Sequence, residues 1–373
     1  MSSTNDASNL HPHPIEMANQ AHLVYINGEQ AGYMRVKRGR GFAYRDPDGN
    51  FTRDEEFLQR VNTLVIPPAW TEVWICADPY GHIQVTGRDE KGRKQYIYHA
   101  DWARVRDNAK YSRLLPFAEA LPQLRAQVDA DLRGRSLTWS KVAALAVDLL
   151  DKTRIRIGNP EYQRQNESYG LTTLQDEHVE IHGDTITFMF HGKSGKEHTV
   201  QLRDRRLARL VRQCQELPGQ ELFQYLDDEK MRHTLRSNDV NQYLREATGQ
   251  DFTAKDFRTW GGTVTTTRAL YEAGPAASKH ERKKKVTEAV KAAARALGNT
   301  VTVCRKYYIH PAVLTAYTDG DLFRIVEEAE AAPADGLHAD ETAVRELLRR
   351  YSSSEASSPA VEAEVQETLA ECN

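Results

Sequence analysis

The 373-residue chain has no apolar run approaching the roughly 20 residues of a membrane-spanning helix, which excludes a helical span. Its first 19 residues are polar and hold no apolar signal core, so the expected location is cytoplasmic rather than exported. Cysteine is scarce. Cys76, Cys214, Cys304 and Cys372 lie far apart and form no Cys-x-x-Cys pair, which points to free thiols in a reducing compartment. No cluster of histidines and cysteines suggests a metal. A nucleotide loop is missing too. Gly192-Lys193-Ser194 looks like the end of one, but the motif needs a glycine five residues before its Gly-Lys, and Thr187 stands there. The expectation is therefore a protein that works without metal or nucleotide cofactor.

Excess positive charge is also lacking at first sight, since the net charge is −3. The distribution matters more than the total. Residues 331–373 hold nine acidic residues against three arginines, a net −6, so the preceding 330 residues carry +3. An acidic tail conceals a mildly basic body, and a nucleic-acid partner stays open.

Four segments are expected along the chain: a disordered extension over 1–20, a β-rich domain over 21–103, a helical domain over 104–330 and an acidic tail over 331–373. In the second, short apolar runs at 22–26, 72–76 and 82–86 read as strands, with turns at Asp48-Gly49 and Tyr80-Gly81. Basic residues gather at Arg35, Lys37, Arg38, Arg40 and Arg45, and again from Arg88 to His99. Such loops are often only solvated surface. The second group is more pointed, because Gln95, Tyr96 and Tyr98 interleave hydrogen-bonding and aromatic groups with cations that include Arg93. Glutamine can read an adenine edge, and tyrosine can reach phosphates or bases.

From Trp102 onward the pattern is helical. Trp139, Val142, Ala146 and Leu149 repeat at helical spacing and read as core. Arg154 and Arg156 precede a helix stop at Gly158 and Pro160, where an arginine can simply cap a helix C-terminus. Strands at 178–181, 185–190 and 197–202 make a small antiparallel sheet, with Lys193 in the loop of its second hairpin. Lys255 and Arg258, three apart, share a helix face, and two cations together call for solvent or an anion. A basic helix from Lys279 to about Leu297 leads into Asn299. The tail reads as a helix near 341–350 followed by disorder.

The chemistry is expected in the stretch from Gly298 to Pro311, which contains Cys304-Arg305-Lys306-Tyr307-Tyr308. Pro311 biases His310 away from helix, so Tyr308 falls near an element end. A phenol, with a pKa of about 10, becomes a useful nucleophile only where cations stabilise the phenolate and the group it attacks.

The ordered set Arg156, Lys193, Lys255 with Arg258, Asn299 and Tyr308 resembles the active site of type IB DNA topoisomerases, most closely the short bacterial forms related to the poxvirus enzymes. The resemblance covers roughly residues 22–330. It rests on Arg93-Lys94-Gln95-Tyr96-Ile97-Tyr98-His99, Ile155-Arg156-Ile157-Gly158, Gly192-Lys193, Lys255-Asp256-Phe257-Arg258 and Cys304-Arg305-Lys306-Tyr307-Tyr308 taken together. It implies an α+β protein in which a β-rich cap and a helical catalytic domain with a small antiparallel sheet form a clamp around duplex DNA. It also implies monomeric action on double-stranded DNA at the nucleoid, away from any membrane.

By this resemblance Tyr308 is the nucleophile that forms a 3′-phosphotyrosyl bond. Arg156 and Arg258 hold phosphate oxygens, Lys193 protonates the departing 5′ oxygen and Lys255 assists it. Gln95, Tyr96 and Tyr98 match DNA-facing cap residues, and Tyr162 matches a phosphate contact. Many relatives carry histidine where this chain has Asn299, which can donate a hydrogen bond but cannot act as a base. Two rivals follow: a tyrosine recombinase, which would carry histidine in place of Lys255, and a DNA clamp that has lost activity. The acidic tail is expected to be dispensable and to weaken DNA binding by repelling phosphates.

Overall fold

The computed structural model describes residues 14–27 and 30–352. They fall into two compact units, one ending at Tyr111 and the other beginning at Ser112, eight residues beyond the expected boundary at 103/104.

The N-terminal unit opens with α1 (Pro14–Gln20). Its sheet is built from β1 (Gly32–Arg38), β2 (Gly41–Arg45), β3 (Thr71–Cys76), β4 (Ile83–Arg88) and β5 (Lys94–Tyr98). The strands pair antiparallel in the order β2-β1-β3-β4-β5. Between β2 and β3 the chain forms α2 (Glu55–Thr63), and α3 (Ala100–Ser112) follows β5. The Asp54 carboxylate caps α2 by accepting from the Phe57 amide at 3.1 Å. Phe57 and Val61, one helical turn apart, then pack on Val73, Ile75 and Val85 of the sheet.

β5 is the basic and aromatic stretch that the sequence presented as a loop. Strand alternation puts Ile97 against the core and leaves Lys94, Tyr96 and Tyr98 on the opposite face. There the Tyr96 and Tyr98 rings stack 5.9 Å apart, with Lys94 over the first and Arg106 over the second.

The second unit is mainly helical. It begins with α4 (Leu114–Asp131), α5 (Trp139–Thr153) and α6 (Pro160–Asn166). A three-stranded antiparallel sheet follows, β6 (Val179–His182), β7 (Thr185–His191) and β8 (Glu197–Arg203), within a residue or two of the strands expected. Then come α7 (Arg205–Gln215), a short hairpin of β9 (Gln224–Leu226) and β10 (Arg232–Thr234), and α8 (Ser237–Thr248). The C-terminal part holds α9 (Ala254–Ala273), α10 (Lys279–Leu297), α11 (Val301–Tyr307), α12 (Pro311–Asp319), α13 (Asp321–Ala331) and α14 (Ala339–Ser352). One continuous core spans the unit, with α9 at its centre: Phe257, Trp260 and Leu270 are fully enclosed.

Three expectations need correction. Disorder over 1–20 is too broad, because α1 buries Met17 and Ala18 against Leu23 and Trp102; the rest of that expectation lies outside the described residues. The strand expected at 22–26 is only a bridge between Val24 and Gly81. Its buried residues, Leu23 and Ile26, are three apart, a spacing that no strand face provides. The acidic tail is not a separate appendage. α14 buries Ala343, Val344, Leu347 and Leu348 in the core of the unit. Glu341 is 3% exposed and receives two hydrogen bonds from Arg125, each 2.7 Å, and one from the Trp260 indole at 3.2 Å. The disorder expected at the tail's end falls beyond the described residues.

Candidate active site

α9 is the rail on which the site is built. Asp256 receives the Thr253 amide at 2.8 Å and an Arg113 guanidinium at 3.0 Å, which fixes the helix start. Arg258, one turn further, is 5% exposed. Its terminal nitrogens donate to the carbonyls of Arg154 and of Leu297, the latter at 2.8 Å. One guanidinium thus ties the end of α5 and the end of α10 to α9. Gly261 and Gly262 follow. A side chain on Gly261 would overlap Arg154, and one on Gly262 would overlap the Tyr308 carbonyl. Thr263 then accepts the His310 amide at 3.1 Å. The backbone from the Tyr308 carbonyl to the His310 amide is therefore laid against two consecutive residues of α9.

Tyr308 caps the C-terminus of α11, its amide donating to the Cys304 carbonyl at 2.9 Å. Pro311 starts α12 immediately afterwards, so the tyrosine sits at an element end. Arg156 donates to the phenol oxygen at 3.3 Å and also to the Asn299 side-chain carbonyl. The Arg258 guanidinium carbon stands 5.2 Å from the Tyr308 ring centre. Burial is the largest single influence on the phenol and pushes its pKa up. Arg258 and Arg156 together outweigh it and hold Tyr308 below the ordinary phenol value. Arg258 itself is lowered to about 10, by burial first and by Arg156 second.

Arg156 lies on the turn after α5, where Arg154 takes the left-handed conformation with φ 56°. The turn is pinned where the Arg156 carbonyl accepts the Leu171 amide and the Ile157 carbonyl the Thr172 amide, both at 2.7 Å. Gly158 and Gly170 allow these two backbones to touch, since a Cβ on Gly170 would overlap Gly158 and the Arg156 carbonyl, and one on Gly158 would overlap the Thr173 hydroxyl and crowd Gly170. Two buried donors at the site have no partner among the described residues: the Arg258 Nε and the Asn299 Nδ2. Buried orphan donors are rare, and a pair of them beside a phenol with two guanidiniums is the donor set that an anion would satisfy.

Comparison with known proteins agrees with this chemistry. Residues 94–330 match the family model of the eukaryotic DNA topoisomerase I catalytic core, and residues 41–89 match that of the bacterial DNA topoisomerase IB N-terminal domain. DNA topoisomerase 1B of Acanthamoeba polyphaga mimivirus is 34% identical over 313 residues, covering 82% of this chain and 93% of the viral one. The chain belongs to the type IB DNA topoisomerase family. More distant relatives are DNA topoisomerase I of monkeypox virus, 25% identical over 302 residues (75% of this chain, 91% of the relative), and DNA topoisomerase 1 of rabbit fibroma virus, 23% over 316 residues (78% and 93%). The choice between topoisomerase and recombinase thus falls to the topoisomerase, an isomerase that acts on DNA. No described helix is long and apolar enough to cross a membrane.

Of the residues that the topoisomerase resemblance singles out, Arg156, Arg258, Asn299 and Tyr308 come together. The two lysines do not join them. Lys193 is exposed in the turn between β7 and β8, and Lys255 is exposed in the first turn of α9; among the described residues neither side chain has a hydrogen bond or ion pair. In the N-terminal unit Asp89 receives both Arg93 and Gln95, at 2.8 Å each, so those groups are engaged internally. Tyr96 is 42% exposed and Tyr98 half-buried. Tyr162 on α6 is 58% exposed.

Sequence reasoning missed Gly261, Gly262 and Thr263, whose part is to let the chain approach. It also missed His198 of β8, which lies between the Lys193 turn and the Asn299 turn. The signal for the first was present: Gly261-Gly262 inside a helix pattern is costly unless close packing requires it.

Proposed function

We propose that the protein relaxes positive and negative supercoils by transient cleavage of one strand of duplex DNA. The Tyr308 oxygen attacks a backbone phosphorus and yields its proton to solvent. The bond from phosphorus to the 5′ oxygen breaks, leaving a 3′-phosphotyrosyl linkage, and Lys193 gives a proton to the departing oxygen with help from Lys255. The cut strand rotates about its partner. The freed 5′-hydroxyl then attacks the phosphotyrosine and returns its proton to Lys193; the bond from phosphorus to the Tyr308 oxygen breaks, the phenol regains a proton from solvent, and the backbone is restored.

The observation that carries this reading is the phenol held by Arg156 and Arg258, with two unpartnered buried donors beside it. Arg156, the Arg258 Nε and the Asn299 amide are the groups that would meet the non-bridging oxygens as charge develops there. Asparagine donates one neutral hydrogen bond and cannot take a proton, so no base is assigned to position 299. One phosphodiester is exchanged for another, which leaves no energetic need for ATP, and side-chain cations carry the charge stabilisation without a metal. Lys193 stands at a turn within reach of solvent, and its approach accompanies DNA binding, as catalytic contacts often tighten only in the complex.

The exposed face of Lys94, Tyr96 and Tyr98 supports duplex binding by the N-terminal unit, with Arg93 and Gln95 exchanging Asp89 for DNA. Tyr162 is assigned a phosphate. The protein acts as a monomer, in the cytoplasm, on the nucleoid. Relaxation of a plasmid in EDTA without ATP, with a covalent adduct trapped by denaturant, is the expected result. DNA binding without adduct would instead identify an inactive clamp.

A further inference from the structure

The ring of His198 occupies an unusual place. A Cβ on Gly192 would lie 2.5 Å from it, and one on Gly298 would overlap it. These two glycines directly precede Lys193 and Asn299. The imidazole also stacks on Phe190 of β7, with centroids 5.3 Å apart and planes 12° from parallel. A flat side chain thus fills the gap between the turn that carries the exposed lysine and the turn that carries Asn299.

The charges around it have one dominant sign. Arg154 and Arg156 come from the turn after α5, Arg258 from α9, Lys291 and Arg295 from α10, and Lys196 from its own hairpin. Tyr169 also lines the cavity of about 90 Å³ beneath the ring. The acidic groups nearby are engaged elsewhere: Glu197 lies 3.7 Å from His191, and Glu288 holds Lys291 at 2.8 Å. No hydrogen bond or ion pair is formed by the imidazole among the described residues.

We propose that His198 is a positioning residue, whose flat ring clips the Lys193 hairpin to the Asn299 turn, so that the lysine is delivered to the departing oxygen when DNA binds. This rests on the reading of Lys193 as the acid. Burial, and then Arg156, Arg258 and Lys196, hold the imidazole below its ordinary pKa. The sign follows. The clipped arrangement binds fewer protons than the released one, so it is undisturbed at neutral and higher pH. It is weakened as pH falls through the ordinary histidine value of about 6.5, because protonation adds a cation among cations.

The test uses full-length protein, single-turnover cleavage of a duplex oligonucleotide, and the same duplex with a 5′-bridging sulfur, a leaving group that needs no proton. His198→Ala should slow the ordinary duplex by about 10- to 100-fold, the scale of a displaced catalytic group, while the sulfur duplex regains most of the rate and DNA affinity is unchanged. Lys193→Ala serves as comparator. If sulfur rescues Lys193→Ala but not His198→Ala, the clip is wrong and the lysine reading stands. If sulfur rescues neither, the lysine reading fails, and the clip is judged on the hairpin itself.

That judgement uses exchange of the Gly192 and Gly195 amides, which close the hairpin by bonding to Lys196 and Gly192 at 2.7 and 3.1 Å. After correction for chemical exchange, their protection should drop in His198→Ala at pH 7.5, and in the unmodified protein between pH 7.5 and 5.5. His198→Gln, flat and untitratable, should keep the hairpin protected at both pH values. It also carries the test if the alanine variant does not fold. Protection unaffected by pH and by substitution would overturn the proposal.

Discussion

Tyr307 and Tyr308 are neighbours in the chain, yet residues one apart on a helix point about 100° away from each other. Tyr308 meets Arg156 and Arg258. Tyr307 instead has the Lys306 amine 5.3 Å from its ring centre. Tyr308→Phe should therefore abolish the covalent adduct and leave DNA binding nearly intact, since one hydroxyl is removed and the ring stays packed. Tyr307→Phe should keep most of the activity. Denaturing gels for adduct and filter binding for affinity check both; a dead Tyr307 variant with an active Tyr308 variant would move the nucleophile by one position. At this scale the sequence was informative where the chemistry needs a particular side chain. Phenol, guanidinium and ammonium groups advertise themselves by type and order. His198 does not, because its part depends on Gly192 and Gly298, more than a hundred residues apart, closing on it from two sides.

Elements were legible in proportion to the regularity of their burial. Strands β6, β7 and β8 alternate and are joined by turn residues, so they were placed almost to the residue. β1, β2 and β5 are rich in arginine and lysine, and their charge hid the alternation. On β1 the core side itself carries charge: Arg35, paired across from Tyr44, donates to the Pro67 and Trp70 carbonyls beside Tyr33 and Tyr44, which pack on Phe57 of α2. α9 was nevertheless read as a helix, although its middle is buried all round and shows no amphipathic stripe. Its glycine pair carries a consequence. Gly262→Ala should favour the helix by roughly 1 kcal/mol on intrinsic propensity, but the new methyl overlaps the Tyr308 carbonyl. The expected outcome is a folded protein whose single-turnover cleavage falls about 100-fold, the scale of a displacement near 1 Å, with DNA affinity held. Thermal unfolding and cleavage measured on one preparation separate the two effects. Normal cleavage would show that α9 does not set the nucleophile's position.

For the whole molecule, the C-terminal segment is the part that charge counting misjudged. Its acidity suggested a tail that repels DNA, but Asp340, Glu341 and Glu346 belong to α14, a helix whose apolar face completes the core. Ala343, Val344, Leu347 and Leu348 are all buried, and at about 1.5–3 kcal/mol for each larger side chain their loss approaches the ~5–15 kcal/mol that holds a typical protein folded. Truncation after Ala331 should therefore give an unfolded or insoluble product, whereas truncation after Ser352 should leave melting temperature and relaxation unchanged. Circular dichroism and plasmid relaxation of the two truncated chains distinguish this from a dispensable tail.

Glu341 gives the same docking a pH signature. Burial, its largest influence, pushes the carboxyl up, but the Arg125 hydrogen bonds and charge reverse this and bring it to about 2. A carboxylate held below its ordinary value of about 4.3 stabilises the fold in full above that value and loses the contribution as pH falls toward 2. A shift of this size corresponds to roughly 3 kcal/mol. Glu341→Gln should lower stability at pH 7 by a similar amount, on the order of 3 kcal/mol, as expected when one partner of a buried pair is removed. Arg125 keeps Asp151 at 2.8 Å, which limits the loss. The variant and the unmodified protein should converge in stability as pH drops from 5 toward 2, because protonation has by then removed the same charge. Denaturant melts across that range read the difference directly. A stability gap that stays constant with pH would mean that Glu341 acts through packing and its hydrogen bond to Trp260 rather than through its charge.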